Sequence, residues 1–124
     1  MRIYLAHSRL FDFKGELYLP LKSAIGSDHT LILPHENSSE PYPSRKLFES
    51  HNCDLVLAEV SWPSIGLGIE LGWATSNNIP VCALGRSDKS ISGSVREVCG
   101  ALLIYRDSED LVRQILTYIS KVKN

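Results

Sequence analysis

The feature that most constrains this chain is an alternation. Five short apolar runs, Ile3–Ala6, Thr30–Leu33, Leu55–Val60, Val81–Leu84 and Ala101–Tyr105, are separated by longer segments of helical character. Each run is bounded by turn residues, the pattern of strands buried on both faces of a parallel sheet. The intervening segments Phe13–Ile25, Ser44–His51, Gly68–Ser76 and Ser92–Cys99 read as helices, and Ser108–Val122 closes the chain. That last helix is the best marked. Asp107 caps it, Glu109 and Asp110 suit the positive end of its dipole, and Leu111, Ile115, Leu116 and Ile119 share a face. Pro20 is expected to interrupt or kink the first helix.

Alternating strands and helices require right-handed crossovers and cover both sheet faces. The expected architecture is an α/β, flavodoxin-like or Rossmann-like three-layer sandwich, with a five-stranded parallel sheet in the order 2-1-3-4-5. Its switch point lies between the first and third strands, where open α/β sheets bind ligands. Ala6-His7-Ser8-Arg9 and Ser61-Trp62-Pro63-Ser64 flank that point, and the loop His35–Pro43 hangs over the same edge.

A length of 124 residues suits one domain spanning 1–124. The formal net charge is −1 with charges scattered, so no basic stripe points to a nucleic-acid polymer. Cys53, Cys82 and Cys99 sit in or beside apolar runs and match neither a disulfide framework nor a zinc spacing; they read as reduced core thiols. Met1-Arg2 leads straight into a short strand, unlike a secretory leader, and no apolar stretch approaches membrane length. The expectation is a cytoplasmic protein without a membrane partner. No ligand set has metal spacing, so no metal or other cofactor is expected.

The chemistry concentrates in Cys53–Ala74, read as a buried strand, a Ser/Pro/Gly turn and a helix with Glu70 in its first turns. Gly66 and Gly68 let backbone N–H groups approach a ligand. Glu70 is the only charged side chain between Ser61 and Arg86. Its bland reading is a solvated helix residue. The apolar neighbours Ile69, Leu71 and Trp73 favour a carboxylate with a partner or ligand, and a carboxylate can attack an anomeric carbon. Ser8, Ser64 and Ser92 (or Ser94) stand at helix starts, either as simple caps or as a phosphate-holding set. His7 and His35, at strand ends, are satisfied structural histidines or ligand contacts. His29 and His51 read as surface turn residues. Trp62 stacks on a base or packs, and Tyr4 reads as core. Gly66-x-Gly68-x-x-x-Gly72 is a poor dinucleotide fingerprint, one residue too long and after the wrong strand. No Walker A motif exists, and the strand ends lack the acidic pocket of a response regulator.

Ala58-Glu59-Val60-Ser61-x-Pro63-Ser64-x-Gly66-x-Gly68-x-Glu70-Leu71-Gly72-x-Ala74 resembles the nucleoside 2-deoxyribosyltransferase-like family. It is nearest the branch of 2'-deoxynucleoside 5'-monophosphate N-hydrolases and CMP N-glycosidases. The resemblance implies a flavodoxin-like homodimer that cleaves or transfers at an N-glycosidic bond of a nucleoside or nucleotide. It places Glu70 as the nucleophile, Ser64 and Ser8 on a phosphate, Tyr4 near the sugar, and Ser92 in the neighbouring subunit's site. One departure stands out. The family's assisting Asp, eight residues before the Asp that opens the third strand, corresponds to Lys46. Asp12, Glu36 or His35 are the candidate replacements. The Lys46 departure leaves a second expectation open, a nucleotide-binding or sensing module without turnover.

Overall fold

The computed structural model describes residues 1–122. Five strands, β1 (Arg2–His7), β2 (Thr30–Ile32), β3 (Leu55–Glu59), β4 (Val81–Arg86) and β5 (Ala101–Tyr105), form one sheet in the order β2-β1-β3-β4-β5. Every pairing is parallel, as the alternation requires. The helices are α1 (Leu19–Ile25), α2 (Ser44–Glu49), α3 (Ile65–Ser76), α4 (Gly93–Val98) and α5 (Ser108–Val122).

Side-chain alternation along the strands builds two cores. Ile3, Leu5, Leu55, Leu57, Cys82 and Leu84 pack with Leu21 and Ile25 of α1 and Leu111, Ile115 and Ile119 of α5. Tyr4, Ala6, Val56, Ala58, Val81 and Ala83 pack on the other face with Phe48 of α2 and Leu67, Leu71 and Ala74 of α3. Tyr4 therefore points toward the α2/α3 layer, while His7, three residues on, points to the opposite face at the strand's end.

Three local outcomes differ from the sequence expectation. The first helix changes type just before Pro20, which stands in the first turn of α1. Its entry, Lys14–Tyr18, is a π-helical turn, with the Leu19 N–H reaching the Lys14 carbonyl five residues back. Proline cannot donate to the carbonyl four residues before it, and the wider turn absorbs that loss without a break. The second helix stops at Glu49, because His51 turns the chain through a left-handed conformation at φ 57. The third helix begins at Ile65 rather than Gly68, since Ser64 in extended backbone accepts the Leu67 N–H at 3.2 Å and caps it. Gly66 and Gly68 thus lie inside the first turns of α3, not in the preceding turn.

Phe48 is fully buried and meets the Tyr4 ring edge-on, centroids 5.4 Å apart. Phe48→Ala is expected to cost about 3–4 kcal/mol, as for other buried aromatic truncations. A urea denaturation series checks this, with unchanged slope as the sign that only stability moved.

Candidate functional site

A cavity of about 620 Å³ opens at the carboxyl ends of β1 and β3, at the switch point. β1 and the loop after it contribute His7, Ser8, Arg9 and Leu10; the loop before α2 contributes His35, Pro41 and Tyr42. Ser44 enters from α2, Pro63 and Ser64 from the turn, and Gly66, Leu67, Ile69, Glu70 and Trp73 from α3. Glu70 is the only acidic residue among these.

Glu70 is half-buried, and its Oε2 accepts the Tyr4 phenol hydrogen at 2.5 Å. Tyr4 has no exposed surface, and its phenol is driven far above its ordinary value, first by burial and then by the Glu70 charge. The phenol therefore stays protonated and acts as a fixed donor that orients one carboxylate oxygen. Tyr4 is a core residue behind the cavity wall, reaching the site only through Glu70.

The two serines share one arrangement. Ser8 Oγ accepts the Leu10 N–H at 2.9 Å, and Ser64 Oγ accepts the Leu67 N–H. Each hydroxyl spends acceptor capacity on its own loop and keeps its O–H hydrogen to donate. Both line the cavity beside the first turn of α3, and Arg9 supplies positive charge at the same end. That end has the chemistry of an anion site.

His7 is 6% exposed. Its Nδ1 lies 2.8 Å from the Ser8 carbonyl, which can only accept, so Nδ1 carries the proton. Nε2, 2.6 Å away, then accepts the Tyr18 hydroxyl, whose oxygen accepts the His35 N–H at 3.1 Å. Burial, with smaller contributions from His35 and Arg9, pushes the imidazole down to about 4 against the opposing pull of the Ser8 carbonyl. His7 is a neutral wall of the cavity. Phe13 stacks on its ring at 4.4 Å, part of an aromatic layer that includes Phe11 and Tyr18.

Other sequence candidates lie elsewhere. Trp62 does not line the cavity; Phe11 stacks on it at 5.8 Å, with Lys89 Nζ 4.2 Å from its ring centroid. Gly68 is exposed and does not line the cavity, and Ser92 precedes α4, outside it. Lys46 is exposed on α2 and does not reach the cavity. Among the candidate replacements for the missing acid, Asp12 accepts the Gly15 N–H and Glu36 pairs with Lys22 at 2.6 Å. Only His35 lines the cavity. Sequence reasoning missed Tyr42, because the loop before α2 has no periodicity that shows which residue faces inward, and Ser44, the first residue of α2, whose inward turn is set by where that short helix packs. It also passed over Glu59, whose carboxyl has no exposed surface and accepts the Tyr105 hydroxyl and, at 2.5 Å, the Ser61 N–H. Among the described residues no cluster could hold a metal ion, and no helix is long and apolar enough to cross a membrane.

No family model matches the chain. A 31-residue segment, 25% of this chain, is 58% identical to a Syntrophotalea carbinolica protein provisionally named 2'-deoxynucleoside 5'-phosphate N-hydrolase 1. The match covers 22% of that protein's length. The fold is shared with the CMP N-glycosidase of Clostridium botulinum (TM-score 0.67, 17% identity, 93% of this chain and 98% of that one). It is shared also with the 2-deoxyribosyltransferase of Bacillus psychrosaccharolyticus (TM-score 0.63, 17% identity, 90% of each chain). A signal receiver domain from Vibrio parahaemolyticus has the same layout (TM-score 0.60, 13% identity, 98% and 92%). Fold alone thus spans unrelated activities. The short segment match, with the first two structural neighbours, supports the resemblance to the nucleoside 2-deoxyribosyltransferase-like family.

His7 links stability to pH. The unfolded chain protonates this residue near 6.5 and the folded one near 4. Its stabilisation is complete above pH 6.5, is lost as pH falls toward 4, and changes no further below that. The loss is about 3 kcal/mol. In His7→Gln this part of the pH dependence is expected to vanish, so the difference in unfolding free energy between the two proteins narrows between pH 6.5 and 4.

Proposed function

We propose that this protein cleaves or transfers at the N-glycosidic bond of a nucleoside or nucleoside 5'-monophosphate, with Glu70 as nucleophile. The observation that carries the reading is the Tyr4–Glu70 pair in a cavity at the switch point. A buried phenol holds one carboxylate oxygen and leaves the other to meet a reacting carbon. The names of the segment relative and of the first two structural neighbours point the same way.

Glu70 attacks C1' and forms a C1'–O bond as the C1'–N bond breaks; the electron pair leaves with the base, which takes up a proton. Water attacks C1' in a hydrolase, releases the sugar and returns the carboxylate with loss of a proton. A second base does so in a transferase. Tyr4 is a positioning residue for the carboxylate. Ser8, Ser64, Arg9 and the first turn of α3 bind a 5'-phosphate. Gly66 keeps that approach open, since a Cβ there would meet nothing within 4 Å. Neutral His7 walls the site.

The homodimer is part of the same proposal. Helix α3 is apolar on both sides, and its outward face carries Ile65, 85% exposed, with Gly68, Ile69 and Gly72. Such a helix suits a covered position. Helix α4 beside it buries no residue, and a second copy here would bring Ser92 toward the neighbouring cavity, as the resemblance implies. Sedimentation velocity is expected to give twice the 13.8 kDa chain mass, and Ile65→Arg to return it to the monomer.

Free base released from ribo- and deoxyribonucleosides and their monophosphates, with and without an acceptor base, tests the reaction. Glu70→Ala is expected to lose at least ~10³-fold in rate. Undiminished release in the variant rejects the mechanism. A second reading, a nucleotide-binding module without turnover, is favoured by Glu70 being the only acid lining the cavity. Binding of an intact nucleotide with no release from any substrate would establish it.

A further inference from the structure

Ser44 is 1% exposed, lines the same cavity as Glu70, and its Oγ finds no hydrogen-bond partner among the described residues. Its backbone is fully committed, with the N–H donating to the Tyr42 carbonyl at 2.7 Å. Its hydroxyl approaches the Tyr4 oxygen and opposes the upward shift of that phenol, but no hydrogen bond of proper geometry joins the two. An orphaned buried hydroxyl is a net cost to the free protein. Alanine would fill the same space without that cost. A hydroxyl held at this depth, in the wall of the cavity that Glu70 also lines, is matched to a ligand group that completes its bonding.

We infer that Ser44 reads the sugar: its hydroxyl binds a hydroxyl on the furanose face that Glu70 attacks. The inference rests on the proposal that Glu70 is the group facing C1'. In a β-nucleoside the base stands on one face of the ring and the 2'- and 3'-hydroxyls on the other. Displacement of the base brings the nucleophile onto the face that carries those hydroxyls. A polar side chain beside Glu70 and its phenol partner therefore meets the 2' or 3' oxygen, not the base and not the 5'-phosphate, whose candidate binders lie along β1's end and the start of α3. Ser44 also occupies the inward position of α2 that Lys46, turned to solvent, does not. Here a neutral group that both donates and accepts does the work of sugar recognition.

The test crosses a residue change with a ligand change. Ser44→Ala is made in a Glu70→Gln background, so that bound nucleotide is not consumed. Binding is measured by calorimetry for ribonucleoside 5'-monophosphates and their 2'-deoxy and 3'-deoxy counterparts. The expected result is about 3- to 10-fold weaker binding of ligands that carry the recognised hydroxyl, and no change for the analogue lacking it. Whichever deoxy series is insensitive identifies the hydroxyl. Ligand-free Ser44→Ala is expected to melt at the same temperature or higher, which a residue kept for stability would not do. Equal weakening across all three sugars, no weakening at all, or a lower melting temperature of the free variant overturns the role of Ser44. Base release by the unmodified protein tests the Glu70 reading separately. Failure of any nucleotide to bind overturns both.

Discussion

A carboxyl group with no exposed surface must be neutral or fully hydrogen-bonded, and Glu59 fixes much of this molecule by meeting that requirement. It ends β3 in the centre of the sheet. It accepts the Tyr105 hydroxyl from β5 and the Ser61 N–H from the turn that follows. Ser61 Oγ in turn accepts the Arg86 N–H at 2.7 Å at the end of β4. Burial raises the Glu59 carboxyl above its ordinary value, against the opposing pull of those donors. The chain of bonds ties three strand ends to one turn. That turn delivers Ser64 in the extended conformation that caps α3, and α3 then carries Glu70 back to Tyr4.

The sheet does the remaining positioning by alternation alone. Tyr4 and His7 are three residues apart on one strand and so serve opposite layers. Tyr4 reaches the α2/α3 side, where its phenol finds Glu70. His7 turns to the α1 side, where it joins an aromatic layer with Phe13 and Tyr18. His7 at the end of β1 and Glu70, held by Tyr4 from mid-strand, line a single cavity. One half of that cavity is polar and donor-rich, around Ser8, Arg9 and Ser64. The other is apolar and shaped, around Tyr42, Ile69 and Trp73. A ligand with an anionic tail and a flat apolar head suits this division.

Much of this was legible in the sequence because the strongest signals are periodic. The strand runs and the order 2-1-3-4-5 followed from alternation and crossover handedness. Glu70, Ser8 and Ser64 followed from their places at strand ends and helix starts. Less legible were features set by facing rather than spacing. The start of α3 was placed at Gly68, three residues late, whereas the Ser64 cap begins the helix at Ile65. Counting residues pointed to Lys46, whereas the helix turns Ser44 inward. Trp62 suited base stacking and packing equally from its place in the loop, and Phe11 and Lys89, distant in sequence, meet its ring. Ser92 precedes α4 and does not line the cavity.

The π-helical turn before α1 has a consequence for how the cavity mouth is adjusted. A turn closed five residues back holds one residue more than an α-helical turn, and one residue in an α-helix corresponds to about 100° of rotation. The segment Lys14–Tyr18 thus works as a phase adapter between two rigid parts. On one side, Leu21 and Ile25 stay locked in the core under the sheet. On the other, Phe11 and Phe13 are aimed at His7 and Trp62 with a rotation the core helix alone would not give. Leu17 and Tyr18, within the turn, belong to that same core, so the turn anchors the aromatic layer to the sheet as well as aiming it.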